Sequence, residues 1–510
     1  MVNLERFTFL IHGTVLLTMG FVISCQQNQP PPIYPFDPGT AEITLPVPPI
    51  AQIIDIPILT QNTVLNSPSG QIDDYFGASI SITLNTLVVG APNASGGGAV
   101  WVFNLEDPNS TPIKLIPQNL IDGVAYGTSV AISDSGRFIA VGAPKSTVQG
   151  KKNSGIVYVW EKKNAQWTIS GTFARGDLTP DSMLGSTVAI NDETLLSGAP
   201  FADILIPYQF KSHLNLNDYT TENRVVSAHG IVATWMRDNG IWNEDNLLQA
   251  ESFIDNAQFG AALSLKGNQA IIGAPSARAS DQIEAGKTFI FLRRQRGWPD
   301  EPITKISQIG NAAFKNDKNT ISGNGPHHHF GWAVSVLGTV ALSGTPEDSE
   351  KFSGSGSVNC FQRVDNTSWM QTQYIQAPDP ASNDAFGSAV GFAGIHFVVG
   401  APMKLLNNLQ NVGAVYIYRL KDQPLQVLDE LDVEEEFLFK LLPSQPIAQQ
   451  RFGVALACTP NIIAVSAPGT LTDSIPGQVY IFNRSENSWG VPSPTSKLAP
   501  NNAQIDKNTP

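Results

Sequence analysis

The chain has 510 residues, with 31 basic and 44 acidic side chains, and its net charge of −13 argues against nucleic acid and against a basic membrane-surface patch. Charged residues make up only 15%, which suits an all-β protein rich in Asn, Ser and Gly. The length would ordinarily suggest several domains, but a closed repeat array holds it as one.

At the N-terminus Arg6 precedes an apolar stretch from Phe7 to Ile23, shorter than a confident membrane span, which reads as a secretory signal. It ends in Val22-Ile23-Ser24-Cys25, which resembles the bacterial lipobox, whose cysteine becomes lipid-modified and the new N-terminus. An ordinary cleaved signal and an uncleaved anchor are the other readings of the same stretch. Gln26 to Gln29 and the Pro-rich run from Pro30 to Pro49 follow as a stiff, extended tether. Gln26 is not the aspartate that retains many such lipoproteins at the inner membrane. The resemblance therefore implies an outer-membrane lipoprotein of the bacterial envelope, held at the membrane by its lipid alone. The expected division is residues 1–24 signal, 25–53 tether, 54–499 repeat head and 500–510 tail.

From Tyr75 to Phe482 one pattern recurs seven times: aromatic-Gly, an apolar strand, Gly-Ala-Pro, a gap, then Gly and a second apolar strand. The leading glycines are Gly77, Gly127, Gly185, Gly260, Gly331, Gly387 and Gly453, each preceded by Phe, Tyr or Leu. Runs such as Leu87-Val88-Val89 and Phe397-Val398-Val399 do not alternate with polar residues, so both faces of these strands are covered. Five copies carry a later turn ending in tryptophan, at Trp167, Trp242, Trp298, Trp369 and Trp489. Four strands per unit and seven units predict an all-β fold, a seven-bladed β-propeller of four-stranded antiparallel blades. Either Ile58-Leu59-Thr60-Gln61 or Ser496-Lys497-Leu498-Ala499 fits as the outer strand that closes blade 7.

The paired Phe-Gly and Gly-Ala-Pro motifs resemble the FG-GAP repeat family, known from the propeller head of integrin alpha subunits and from bacterial surface proteins. The resemblance covers roughly residues 54 to 499 and favours the N-terminal segment for closure. It departs at one point. The calcium-binding copies of that family carry an Asp-rich loop between the first two strands. Here those turns are short, as in Thr83-Leu84-Asn85, Lys266-Gly267-Asn268 and Leu337-Gly338, and lack the alternating oxygen ligands that Ca²⁺ needs. No metal or other cofactor is expected.

Strand parity places both motifs at one end of each blade, so the loops between blades and those after Gly-Ala-Pro share one face. The repeat intervals are 50, 58, 75, 71, 56 and 66 residues, and the two longest locate insertions on that face. Phe201 to His229 carries Tyr208, Phe210, His213 and Tyr219; Gln308 to His329 ends in His327-His328-His329; blade 4 between them contributes Arg278 and Asp281. Long insertions on one face of a rigid repeat scaffold commonly form its binding surface. The three histidines lack carboxylate or thiol ligands at a diagnostic spacing and read as a polar, solvated loop. The acidic run from Asp429 to Glu436 reads as a solvated turn on the opposite face.

With Cys25 assigned to lipid, Cys360 and Cys458 fall on blades 5 and 7, which do not touch, and read as buried apolar thiols. Gly354-Ser355-Gly356-Ser357 is only a garbled nucleophile motif, and no phosphate loop is present, so the chain is not expected to be an enzyme. The expected function is an envelope-tethered adhesion or binding module, its head a monomer, that grips a protein or glycan through the insertion face. A scaffold subunit of an outer-membrane assembly or secretion complex is the alternative, and a channel-centred hydrolase a weaker one.

Overall fold

The computed structural model describes residues 58–492, apart from 108, 207–223, 251–254, 279–283, 295–296, 300–303, 307–327, 364–368, 421–435, 470–474, 486–487 and 490. The signal, Cys25, the tether and the tail lie outside the described residues.

Seven antiparallel sheets follow one another around a ring, as the repeat predicts. Blade 1 is typical, with strands Ser79–Thr83, Thr86–Ala91, Ala99–Asn104 and Ile113–Leu115 from the axis outward. Among the described residues helix is almost absent; one 3₁₀ turn at Ile72–Asp74 leads into the first aromatic-Gly pair. The first strand of each blade contacts the first strands of its two neighbours, so these strands form the inner wall. Gly77 N–H donates to the Gly90 carbonyl at 3.0 Å, which places both motifs at the same end of the blade.

Burial explains the non-alternating strands. There is no single core: seven apolar clusters lie in the seven gaps between consecutive blades. Val88 faces blade 2, while its neighbours Leu87 and Val89 face blade 7, so all three are fully buried. The repeat aromatic sits in the gap as a wedge: Phe76 packs with Ala464 and Val479 of blade 7 on one side and with Val89 and Phe103 of its own blade on the other.

Two backbone contacts recur along these gaps. A Cβ on the Gly-Ala-Pro glycine would meet the carbonyl of the next blade's leading glycine at 1.9–2.1 Å, from Gly90 against Gly127 through to Gly400 against Gly453. A Cβ on the glycine before each third strand would meet the carbonyl of the residue ahead of the next leading glycine at 2.0–2.2 Å, from Gly98 against Tyr126 through Gly155 against Leu184 to Gly477 against Phe76. Side chains are excluded at both positions because backbones touch there.

Two expectations are corrected. The N-terminal segment does close blade 7, but through Thr63–Asn66, which pairs antiparallel with Gln478–Ser485. Ile58–Thr60 instead extends blade 6, lying parallel to Glu436–Leu441, and Val491–Pro492 adds beside it. Blade 6 is therefore a six-stranded sheet, with Ile58 in the gap toward blade 5 and Leu59 in the gap toward blade 7. Residues 496–499 and the acidic run before Glu436 lie outside the described residues. Cys360 and Cys458 form no disulfide with each other; Cys360 is buried, as expected, whereas Cys458 is only half-buried.

Gly142→Ala, whose Cβ would lie 1.9 Å from the Gly185 carbonyl, should lower stability by at least about 3 kcal/mol. Gly150→Ala, with positive φ but nothing within 4 Å, should cost about 1 kcal/mol. Thermal unfolding of the two variants reads the difference. In the same assay Leu65→Asp should cost more than about 3 kcal/mol, because it buries a charge in the closing seam. Ile113→Asp, on an exposed outer strand, should change stability by less than about 0.5 kcal/mol.

Candidate functional site

Of the nine residues proposed for the insertion face, Tyr208, Phe210, His213, Tyr219, Asp281 and His327 lie outside the described residues. Arg278, His328 and His329 are described. The first insertion begins as a two-stranded ribbon, Ile204–Ile206 against Arg224–Val226. It ends at His229, whose carbonyl accepts from Phe259 N–H at 2.9 Å. Arg278 is exposed after the second strand of blade 4.

His328 and His329 are not a solvated loop. In every blade the residue before the aromatic is left-handed, with φ between 56 and 59° at Tyr75, Ala125, Met183, Gln258, His329, Ala385 and Arg451. His329 fills that place in blade 5, and its carbonyl accepts from Trp332 N–H at 3.1 Å. Its ring lies between two carboxylates, Nδ1 at 3.2 Å from Glu347 and Nε2 at 3.9 Å from Glu284. The residue one earlier is buried and polar in several blades: Asp74, Ser182, His328, Asp384 and Gln450. His328 Nδ1 stands 3.9 Å from Oδ1 of Asp348, which is fully buried and accepts from Ser357 Oγ at 2.6 Å and Tyr374 Oη at 2.8 Å.

Burial holds His328 below its ordinary value, although the nearby Asp348 and Glu347 pull it upward. Burial, reinforced by Asp348, holds the Tyr374 hydroxyl protonated. The two edges of the His329 ring address carboxylates on opposite sides, so they converge on no common point. Among the described residues no three His, Cys, Asp or Glu side chains form a metal cage.

Blade 6 holds a second buried polar group on this face. Lys440 Nζ lies 2.6 Å from Asp379 Oδ2, Lys404 Nζ lies 2.7 Å from Asp384 Oδ2, and Tyr416 Oη donates to Asp379 Oδ1 at 2.6 Å. Burial would push the Asp379 carboxyl up, but the Lys440 and Lys404 ammonium groups outweigh it and hold it below the ordinary range. The cluster ties the connection from blade 5 into the body of blade 6. One signal in the sequence marks it. The second residue after the repeat proline is Ala or Ser in blades 1 to 4, at Ala94, Ser146, Ala202 and Ala277, but charged in blades 5 and 6, at Asp348 and Lys404.

The exposed surface of this face is mixed, with polar residues such as Gln118, Asp122, Lys152 and Asn407 beside apolar ones. Among the described residues six exposed aliphatic or aromatic side chains stand on it: Ile121, Leu205, Val225, Phe352, Leu405 and Ile447. Leu205 and Val225 are direct cross-strand partners on the ribbon. The opposite face, made of the short turns, carries Leu84, Ile241 and Ile395 and opens into a cavity of about 430 Å³.

Because folding keeps His328 neutral, the unfolded chain binds its proton more readily than the folded one does. Stability from this residue is therefore present above its unfolded value of 6.5 and falls as pH drops through and below it. Melting temperatures between pH 8 and pH 5 should show that decline, and His328→Gln should flatten it.

No curated protein matches the chain. Residues 60–103 and 369–418 match the family model described as FG-GAP repeat. The first stretch runs from the closing strand of blade 7 through the third strand of blade 1. The second runs from the outer strand of blade 5 to the third strand of blade 6. The chain thus carries FG-GAP repeats folded as a seven-bladed β-propeller.

Proposed function

We propose that this propeller is a non-enzymatic binding or adhesion module, tethered to the bacterial envelope as an outer-membrane lipoprotein through Cys25. Its head is monomeric and engages a protein or glycan through the insertion face. One observation carries the reading: that face combines six exposed apolar side chains from blades 1, 3, 5 and 6 with buried, fixed polar groups in blades 5 and 6. Contiguous exposed apolar surface marks recognition sites, and the directly paired Leu205 and Val225 begin such a surface on the ribbon. The lipobox-like stretch and the Pro-rich tether support the envelope location.

The scaffold reading draws on a different feature, the blade edges. Ile113, Ile169 and Met370 are exposed on the outer strands of blades 1, 2 and 5, where another chain could pack along an edge. The channel-centred hydrolase has less support. The inner strands contribute one charged side chain, Lys266, and no carboxylate or imidazole with which to pass a proton.

Photo-crosslinkers at Phe352 and Leu405, compared with Ile395 on the turn face and Met370 on an edge, separate these readings in intact cells. Crosslinks should form from the first two positions. Crosslinks from Met370 alone would favour the scaffold. Phe352→Asp should lower the crosslink from Leu405, and Leu405→Asp that from Phe352, at least about tenfold, a loss of roughly 1.4 kcal/mol or more, with no change in melting temperature.

A further inference from the structure

On the turn face, the cavity of about 430 Å³ opens where the turns after the inner strands of blades 7, 1, 2 and 4 come together. Its size falls within the range of small-ligand pockets. Leu84 stands on its wall with 71% of its surface exposed and φ at +48°.

The repeat supplies an internal control for that residue. Thr83 pairs with Thr86, so Leu84-Asn85 is a two-residue turn. Blades 4, 5 and 6 have the same turn, with Lys266 paired to Gln269, Leu337 to Val340 and Ala393 to His396. Each of these uses glycine first, at Gly267, Gly338 and Gly394, with φ of 58, 59 and 66°. Leu84 therefore occupies a glycine position in a conformation unfavourable to a branched side chain, and its exposure gains the fold nothing. Strain that does not serve packing points to a role at the surface.

The rest of the wall defines what would fit. Ile82, Pro460 and Ile462 continue the apolar surface. Lys266 Nζ lies 2.7 Å from Asp134 Oδ1, but the two side chains are 43% and 68% exposed, so the pair is screened by water and the ammonium has donors to share. Thr459 Oγ1 accepts from Asn461 N–H at 3.3 Å and Ile462 N–H at 3.0 Å, which leaves its own proton to donate. Burial pushes the Cys458 thiol up to about 12, so it stays uncharged beside them.

We propose that this cavity binds a small amphipathic organic acid. Its apolar body lies against Leu84, Pro460 and Ile462, and its carboxylate takes donors from Lys266 and Thr459. The site lies on the opposite face from the one assigned to the macromolecular partner and does not depend on that assignment.

The test is fluorescence titration of the purified protein with anthracene-9-carboxylate and with the neutral anthracene-9-methanol. The carboxylate should bind saturably at a single site, at least about tenfold more tightly than the alcohol. Leu84→Asn should weaken both at least about tenfold while its melting temperature holds or rises, because asparagine tolerates this backbone conformation. Lys266→Met should abolish the preference for the carboxylate while retaining the alcohol. The proposal falls if neither probe binds, if Leu84→Asn binds as the parent does or melts lower, or if Lys266→Met keeps the preference.

Discussion

Blade is held to blade by backbone contact at places where no Cβ can stand. At six of the seven gaps the Gly-Ala-Pro glycine abuts the carbonyl of the next leading glycine, and at all seven the glycine before the third strand abuts the residue ahead of that leading glycine, an aromatic in six and Leu184 in the other. These contacts set the blade spacing, and the spacing gives the aromatic wedges a gap of constant width to fill. The seven clusters then follow, each shared by two sheets, and so does the absence of polar alternation along the strands. A core divided into seven seams leaves the loops at both ends free to vary without disturbing the packing.

That freedom is used unequally. The end of the blade that carries the repeat motifs holds the insertions, the buried histidine–carboxylate group of blade 5, the paired lysines and aspartates of blade 6, and a scatter of exposed aliphatic side chains. The other end keeps the turns after its inner strands short. Fixed charges in blades 5 and 6 replace the Ala or Ser found at the same repeat position in blades 1 to 4, so the ring is symmetric in backbone and asymmetric in chemistry. Such a division is what a fold needs when one scaffold must be stable and one face must be specific.

What was legible in the sequence was whatever the ring demands seven times. Glycine where backbones touch, an aromatic where a gap must be filled and proline where a strand ends all recur because one constraint acts in every blade. What happens once was harder to read. Ile58-Leu59-Thr60 and Thr63-Val64-Leu65 look alike as short apolar strands, and which open sheet edge each one meets depends on distant pairing. Lys440 and Asp379 are 61 residues apart, so their meeting has no local signature. His328 and His329 read as a polar run because three histidines hide the repeat position that two of them fill. Leu84 betrays itself only when its turn is set beside the glycine turns of blades 4 to 6.

The closing seam differs from the other six. Ser466 stands where they have glycine, and a Cβ on Gly77 would meet nothing closer than 3.3 Å, with the serine Cβ at 3.4 Å. The strand that completes blade 7 bonds to residues more than four hundred positions later, as in the contact between Gln478 and Asn66, 412 residues apart. In a chain emerging from its N-terminus, Thr63–Asn66 is made first and must wait, unpaired, until nearly all the rest has appeared. Until then the molecule is an open horseshoe with a bare sheet edge at each end. Sealing is a late, long-range event with a large loop-closure cost, taken at the seam with the loosest backbone fit. The vulnerable moment in the life of this protein is thus the interval before its last blade arrives, when an exposed edge can pair with the wrong chain.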